Sequence, residues 1–118
     1  MATLTAKLTL TGANLTSSTL NASITKALTI TKVVEIKKIN TSVTSASIFA
    51  NGSYTKAYIF LKNLDTTDTI TIEKADEGDE FFSLAPGEFA FFPWDSSLDL
   101  FADATANTPV LEMMIFEA

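Results

Sequence analysis

The chain has 118 residues, of which 47% are hydrophobic and 19% are charged. This composition allows a packed core, and the length suits one domain but is too short for two of ordinary size. It contains no Cys and no His, and all eight basic residues are Lys. These absences exclude disulfides, thiol nucleophiles, zinc sites built on Cys or His, imidazole catalysis and guanidinium clamps on phosphate.

The net charge of −6 is distributed unevenly along the chain. Residues 1–59 carry six Lys and one acid, whereas residues 60–118 carry two Lys and thirteen acids. One interpretation is head-to-tail contact between copies, and the other is that both halves are strands of one sandwich whose charges mix in space. Because phosphate neutralisation dominates nucleic-acid affinity, we expect no nucleic-acid partner for this acidic chain.

Apolar and polar residues alternate with a period of two along most of the chain, which is the pattern of half-buried strands. Asn51-Gly52-Ser53 predicts a hairpin, because Asn and Gly accept positive φ angles. Gly12-Ala13-Asn14 predicts a turn. The strands predicted in the first half cover residues 3–10, 24–31, 33–39 and 43–50.

The second half opens with residues 54–62, which are apolar on both faces, as is typical of a strand inside the fold. Ile70 and Ile72 are predicted to point inward from the strand that follows. Nine or ten short strands and no helix predict an all-β fold, an antiparallel β-sandwich or jelly-roll-like single domain over residues 1–118. The remaining predicted strands cover residues 81–84 and 89–92, on either side of a turn at Ala85-Pro86-Gly87-Glu88, and then 98–101 and 110–116.

Residues 1–31 are rich in Thr and less apolar than the rest of the chain. They are predicted to form edge strands, or an arm that pairs with a neighbouring copy. Residues 1–10 lack the continuous apolar run of a signal peptide, and no stretch approaches the roughly 20 apolar residues of a membrane span. We therefore expect no membrane partner.

Seven of the twelve aromatic residues fall within 21 positions. One interpretation is a platform on which sugar rings stack, and the other is sandwich core plus a subunit interface. The second is favoured, because sugar platforms prefer Trp and Tyr, whereas this cluster has six Phe and one Trp. The candidate interface residues are Phe81, Phe82, Phe89, Phe91, Phe92, Trp94 and Phe101.

Two groups of acidic residues are candidate metal sites. The loop at residues 76–80 offers carboxylates around a Gly, but its spacing does not match a calcium-binding EF-hand, so a solvated acidic loop is favoured. Asp95, Asp99 and Asp103 recur every fourth residue in a segment that reads as strand and loop, where three ligands would not converge. No pair of carboxylates is singled out for acid–base chemistry, so we expect no catalytic residue, no metal and no cofactor.

Several stretches resemble a loose group of small β-rich virion proteins of tailed bacteriophages, many of them marine. The resemblance covers most of the chain, and its elements are structural, with no catalytic signature. It is carried by residues 58–67, 84–94, 98–104 and 110–118, together with Leu28-Thr29-Ile30-Thr31.

The resemblance implies a non-enzymatic virion structural protein, assembled in the bacterial host cytoplasm. Within that context we expect an auxiliary capsid protein that decorates or cements the shell. Its partners would be itself, as a homo-oligomer and specifically a trimer, and the major capsid protein. Two alternatives stay open: a tail-fibre or tail-tip module that binds carbohydrate or a receptor through Trp94 or Tyr54 beside a groove, and a non-viral interaction domain.

Overall fold

A computed structural model of the chain describes residues 2–14, 20–50, 55–74, 79–94 and 99–118. These residues contain ten β-strands and no helix, and every strand pairing is antiparallel. The predicted all-β antiparallel fold is confirmed. The strands are β1 (Ala2–Gly12), β2 (Leu20–Ile30), β3 (Lys32–Asn40), β4 (Ala46–Phe49), β5 (Ala57–Asn63), β6 (Ile70–Lys74), β7 (Asp79–Leu84), β8 (Phe89–Trp94), β9 (Leu100–Ala104) and β10 (Val110–Glu117).

Eight of the strands form two four-stranded sheets. Sheet I has the order β3-β10-β5-β8, and sheet II has the order β4-β9-β6-β7. The eight strands can be described as one long antiparallel hairpin that is rolled up so that its strand pairs alternate between the two sheets. These pairs are β3–β10, β4–β9, β5–β8 and β6–β7. This connectivity is that of a jelly roll.

The two sheets share one hydrophobic core. Alternate residues of β5 are buried, and Ile59 and Leu61 are fully enclosed. Ile70 and Ile72 of β6 are also fully buried and meet them from sheet II, as the alternation predicted. The core is therefore the space between the inner faces of the sheets, as in other β-sandwiches.

The edge strands of sheet I are poor templates for adding a further strand. Glu35 and Lys37 of β3 lie opposite the inward-facing Ile115 and Met113, and their side chains form an ion pair of 2.9 Å. Pro93 in β8 has no N–H group to donate to a new neighbour. Inward charges and edge prolines of this kind discourage edge-to-edge pairing between copies.

The predicted pairing across Asn51-Gly52-Ser53 is wrong. The flanking strands β4 and β5 belong to different sheets, although residues 51–54 themselves lie outside the described residues. The strands β7 and β8 beside the turn at residues 85–88 also lie in different sheets. A turn signal marks where the chain reverses, but in a rolled hairpin a reversal can equally carry the chain from one sheet to the other.

The strands β1 and β2 form a separate two-stranded hairpin that joins neither sheet. We call this hairpin the arm. The described strands of this segment pair with each other and are not edge strands of either four-stranded sheet. The arm is tied to sheet I at its base, where the Thr31 N–H donates to the carbonyl oxygen of Glu117 at 2.8 Å.

Asn63, at the end of β5, links the loops at one end of the sandwich. It is fully buried, and its Nδ2 donates to the carbonyl oxygens of Asp68 (2.8 Å) and Leu84 (2.9 Å). Its Oδ1 accepts a hydrogen bond from the N–H of Asp65 at 2.9 Å. Its backbone makes two further bonds to the turn after β7, in which Gly87 has φ +81°, a conformation that favours glycine.

Asp65 is a second polar anchor in the loop after β5, and it predicts a pH dependence. Its Oδ2 accepts hydrogen bonds from the N–H groups of Asp68 (2.7 Å) and Thr67 (3.0 Å). These bonds, that of Asp68 first, hold the pKa of Asp65 below its usual value of 3.8. A carboxylate with a lowered folded-state pKa stabilises the fold above its unfolded pKa, and this contribution is lost as the pH falls through the folded-state pKa.

We expect the stability advantage of the unaltered chain over Asp65→Asn to be full at neutral pH and to shrink below about pH 4. Urea unfolding of both proteins between about pH 2 and pH 7 measures this difference. A difference that stays constant over the whole range would contradict the assignment.

Candidate functional site

The seven predicted interface residues do not form one patch. Phe82, Phe92 and Trp94 pack against the core between the sheets. Phe89 and Phe91 point away from the core on the outer side of sheet I, where alternate residues of β8 are exposed. Phe81 is partly exposed and packs against the first group, and Phe101 faces outward from sheet II, between the buried Leu100 and Ala102.

A cluster of four rings closes the open side of the sandwich between β7 and β8. Phe81 is an extra residue in β7, since Phe82 pairs with Ile72 and Glu80 pairs with Glu73. The Phe81 ring lies 4.9 Å from that of Phe82 and 5.5 Å from that of Trp94. The bulge thus turns a third Phe toward the gap and covers one side of the indole.

The packing of this cluster is evidence against the sugar platform considered as an alternative for Trp94. Trp94 contacts Phe81 and, at 6.1 Å and 81°, the edge of Phe92. A stacking platform needs a free aromatic face, whereas this indole packs against two rings and the core. Tyr54, the other predicted platform residue, lies outside the described residues.

The side of sheet I that faces away from sheet II is apolar across all four strands. We call it the outer face. In register, Ile36 of β3 lies beside Met114 of β10, which lies beside Phe60 of β5, which lies beside Phe91 of β8. The next row runs from Val33 through Phe116 and Tyr58 to Pro93. On the other side of the first row, Phe89 extends the apolar surface along β8, while the rest of its row is charged and bounds that surface: Lys38, Glu112 and Lys62.

Several outer-face side chains are exposed to solvent. Ile36 is 60% exposed and Phe89 is 57% exposed. Phe89 and Phe91 stack diagonally on Phe60 and Tyr58, with ring centroids 6.4 and 6.3 Å apart. A contiguous apolar surface of this kind marks an interaction site more often than an ordinary solvent-facing surface.

The arm has one apolar and one polar face. Leu4 pairs with Leu28 and Leu8 pairs with Ile24 on one face, together with Leu10 and Ala22. Lys26, paired with Ala6, lies on the same face between these pairs and is its one charged residue. The opposite face carries only Thr, Ser, Lys, Asn and Ala side chains between these pairs, from Thr3 and Thr29 to Thr11 and Asn21. The regular alternation of both strands thus produces an amphipathic ribbon.

The apolar face of the arm stands over part of the outer face. A groove of about 480 Å³ lies between them, with Leu8 and Ile24 on the arm side and Phe60, Phe91 and Met114 among the residues on the sheet side. At the base of the arm Ile30 and Phe116 are buried, although neither belongs to the core between the sheets. The base is therefore packed, while the groove separates two apolar surfaces further along.

Most of the outer face falls outside the predicted aromatic cluster. The sequence signal for the outer face is that β5 and β8 are apolar on both faces. This pattern predicts strands that are covered on two sides. In β5 one side of the strand is covered by sheet II, and the other carries Tyr58 and Phe60 on the outer face. Val33, Ile36 and Met114 carry no aromatic ring and come from distant parts of the chain, so only the fold brings them together.

The charged groups do not converge on a chemical centre within the described parts of the chain. Glu73 is the buried acid there, and its Oε2 accepts a hydrogen bond from the Ser45 hydroxyl at 3.4 Å. Within the described ranges, no group of three acidic side chains could hold a metal ion. Of the predicted acidic sites, residues 76–78 and Asp95 lie outside the described residues.

The outer face and the arm are therefore the candidate functional surfaces of the described residues. Among the residues that the structure describes, no helix has the length and apolar character needed to cross a membrane. No protein-family model, curated protein or solved structure matches this chain.

Proposed function

We propose that the chain is a non-enzymatic structural protein of a tailed-bacteriophage virion, and specifically an auxiliary protein that decorates and stabilises the capsid shell. The observation that carries this proposal is the outer face, an apolar surface across four strands that its own arm leaves partly exposed. A surface of this kind is suited to assembly, because a partner that covers it removes its apolar side chains from water.

Assembly on a symmetric shell is a good use for such a surface. Each copy needs only a modest patch, since symmetry repeats the same weak contact many times. A chain without Cys or His is insensitive to redox conditions and to mild pH change, as a particle outside a cell requires. The partners we propose are further copies of the chain and the major capsid protein.

The resemblance to small β-rich phage virion proteins supports the same context, and the jelly-roll connectivity is compatible with it. The tail-tip alternative needs an open aromatic platform. The packing of Trp94 against Phe81 and Phe92 favours a structural role for that residue instead.

The test is the copy number of the chain in purified virions of the phage that encodes it. Quantitative mass spectrometry, with peptides of the major capsid protein as the internal standard, should give on the order of hundreds of copies per particle. Copies in the tens or fewer would contradict shell decoration and indicate a tail location. Absence from the particle would overturn the virion proposal altogether.

A further inference from the structure

We propose that the arm of one copy packs, by the outer half of its apolar face, on the exposed outer face of a neighbouring copy. This inference rests on the self-association included in the proposed function, and it assigns the two surfaces that make the contact. It makes the arm an exchanged element, which is a recognised route to homo-oligomers.

The first argument is the gradient of burial along the arm. At the base Ile30 is 3% exposed and Leu4 and Leu28 are half-buried. Towards the tip Leu10 is 50% exposed and Ile24 is 63% exposed. Apart from Lys26, the same apolar face runs the length of the arm, but its own copy covers only the base.

The second argument is that the arm and its own sheet are separated where both are apolar. Ile24 and Phe89 line opposite sides of the groove, and each is more than half exposed. The base of the arm is fixed by the hydrogen bond from Thr31 to Glu117 and by the packing of Ile30. Each copy thus has two uncovered apolar surfaces, one on the arm and one on the outer face. Both are removed from water when the arm of one copy packs on the outer face of the next.

The third argument is charge. Residues 2–30 contain Lys7 and Lys26 and no acid, whereas the other residues together carry a net charge of −8. This difference attracts the arm to a second copy over a distance and raises the rate of encounter. The outer face itself carries Lys38 and Lys62 beside Glu112, so the contact itself depends on its apolar side chains and not on opposite charges.

The fourth argument is area. Strands of eleven residues make an arm about 35 Å long and about 10 Å wide, so the outer half of one arm face covers on the order of 175 Å². A copy that lends its arm and accepts another uses two such areas, about 350 Å². This is less than half of the roughly 800 Å² that each partner contributes to a stable interface, so the contact is weak between two copies and gains stability where symmetry repeats it.

The first test compares two substitutions on adjacent positions of β2 that face opposite ways. Ile24→Lys places a charge on the apolar face, whereas Thr25→Lys places the same charge on the polar face. Both side chains are exposed in the single copy, so neither change disturbs the core, and circular dichroism of both variants checks this.

Light scattering of the purified full chain over a range of concentrations gives its mass as a multiple of 12.7 kDa. We expect Ile24→Lys to weaken self-association at least about tenfold and Thr25→Lys to change it less than about threefold. A monomeric unaltered chain, or equal behaviour of the two variants, would overturn the proposal.

The second test identifies the contact surfaces, and the absence of native Cys makes it unambiguous. Ile24→Cys and Phe89→Cys are prepared as separate proteins, mixed and oxidised. A disulfide between the two proteins is expected, and Thr25→Cys in place of Ile24→Cys should give little of it. A variant that carries both Ile24→Cys and Phe89→Cys distinguishes exchange from closure of the arm on its own sheet. A disulfide formed only within one chain would show closure and overturn the exchange.

These tests separate the inference from the proposed function. They use the purified chain without particles, so a chain missing from virions would leave the arm exchange standing. Conversely, a high copy number in virions together with a monomeric purified chain would retain shell decoration and overturn the exchange.

Discussion

Asn63→Ala should lower the free energy of unfolding by about 3 kcal/mol. The substitution removes two donated bonds and one accepted bond of a fully buried side chain. It leaves the buried carbonyl oxygen of Leu84 without this partner, and an unsatisfied buried polar group costs about 1–3 kcal/mol. The loop after β5 and the end of β7 lose a common anchor, so the effect exceeds that of an ordinary surface hydrogen bond.

Denaturant unfolding followed by fluorescence of the single Trp measures the change. The matched control is Asn21→Ala, which makes the same chemical change at an exposed position of the arm and should alter stability by less than about 0.5 kcal/mol. Equal effects of the two substitutions would contradict the role assigned to Asn63.

Leu61→Ala should destabilise the fold by about 3–4 kcal/mol. Leu61 is fully enclosed in β5, an interior strand of sheet I, and lies between Met113 of β10 and Ala90 of β8. Neighbours on both sides are held by ladder hydrogen bonds, so they cannot close the cavity by moving. The loss is therefore expected near the middle of the range measured for buried leucines.

The control for this prediction is Leu10→Ala on the arm, measured at a concentration where copies do not associate. Leu10 is half-exposed, so its truncation should cost less than about 1 kcal/mol. Thermal unfolding of both variants provides the comparison. A small effect at Leu61 would mean that the two sheets do not form the continuous core described above.

The alternation of residue types was enough to predict the fold class and the inward faces of several strands. Ile70 and Ile72 are buried as their spacing predicted, because a period of two assigns each side chain to one face of a strand. The alternation of apolar and polar residues does not predict the order of the strands within a sheet. The partners β3 and β10 are separated by most of the chain, and no local signal marks such a pairing.

The same limit explains why the aromatic cluster did not remain one site. Phe82, Phe89 and Phe101 are close in sequence, but their strands belong to alternating sheets and their side chains face different ways. One lies against the core, one on the outer face and one on the far side of sheet II. Proximity in sequence therefore overestimates proximity in space wherever a chain switches sheet at every turn.

The outer face could be predicted only in part. Tyr58, Phe60, Phe89 and Phe91 are visible as second apolar faces of β5 and β8. Their continuation into Ile36 and Met114 depends on the register between β3 and β10, which includes a bulge before Phe116. A shift of one residue would turn Ile36 inward, so the surface exists only through that register.

The position of β10 has a consequence for the order in which the protein is made and folds. This strand follows all the others in the chain, yet it lies between β3 and β5 in the middle of sheet I. Before β10 leaves the ribosome, β3 has no partner in its sheet and the aliphatic residues of β5 lack half of their neighbours. Sheet I can therefore be completed only after β10 has been synthesised, and the closure of so long a loop makes this step slow.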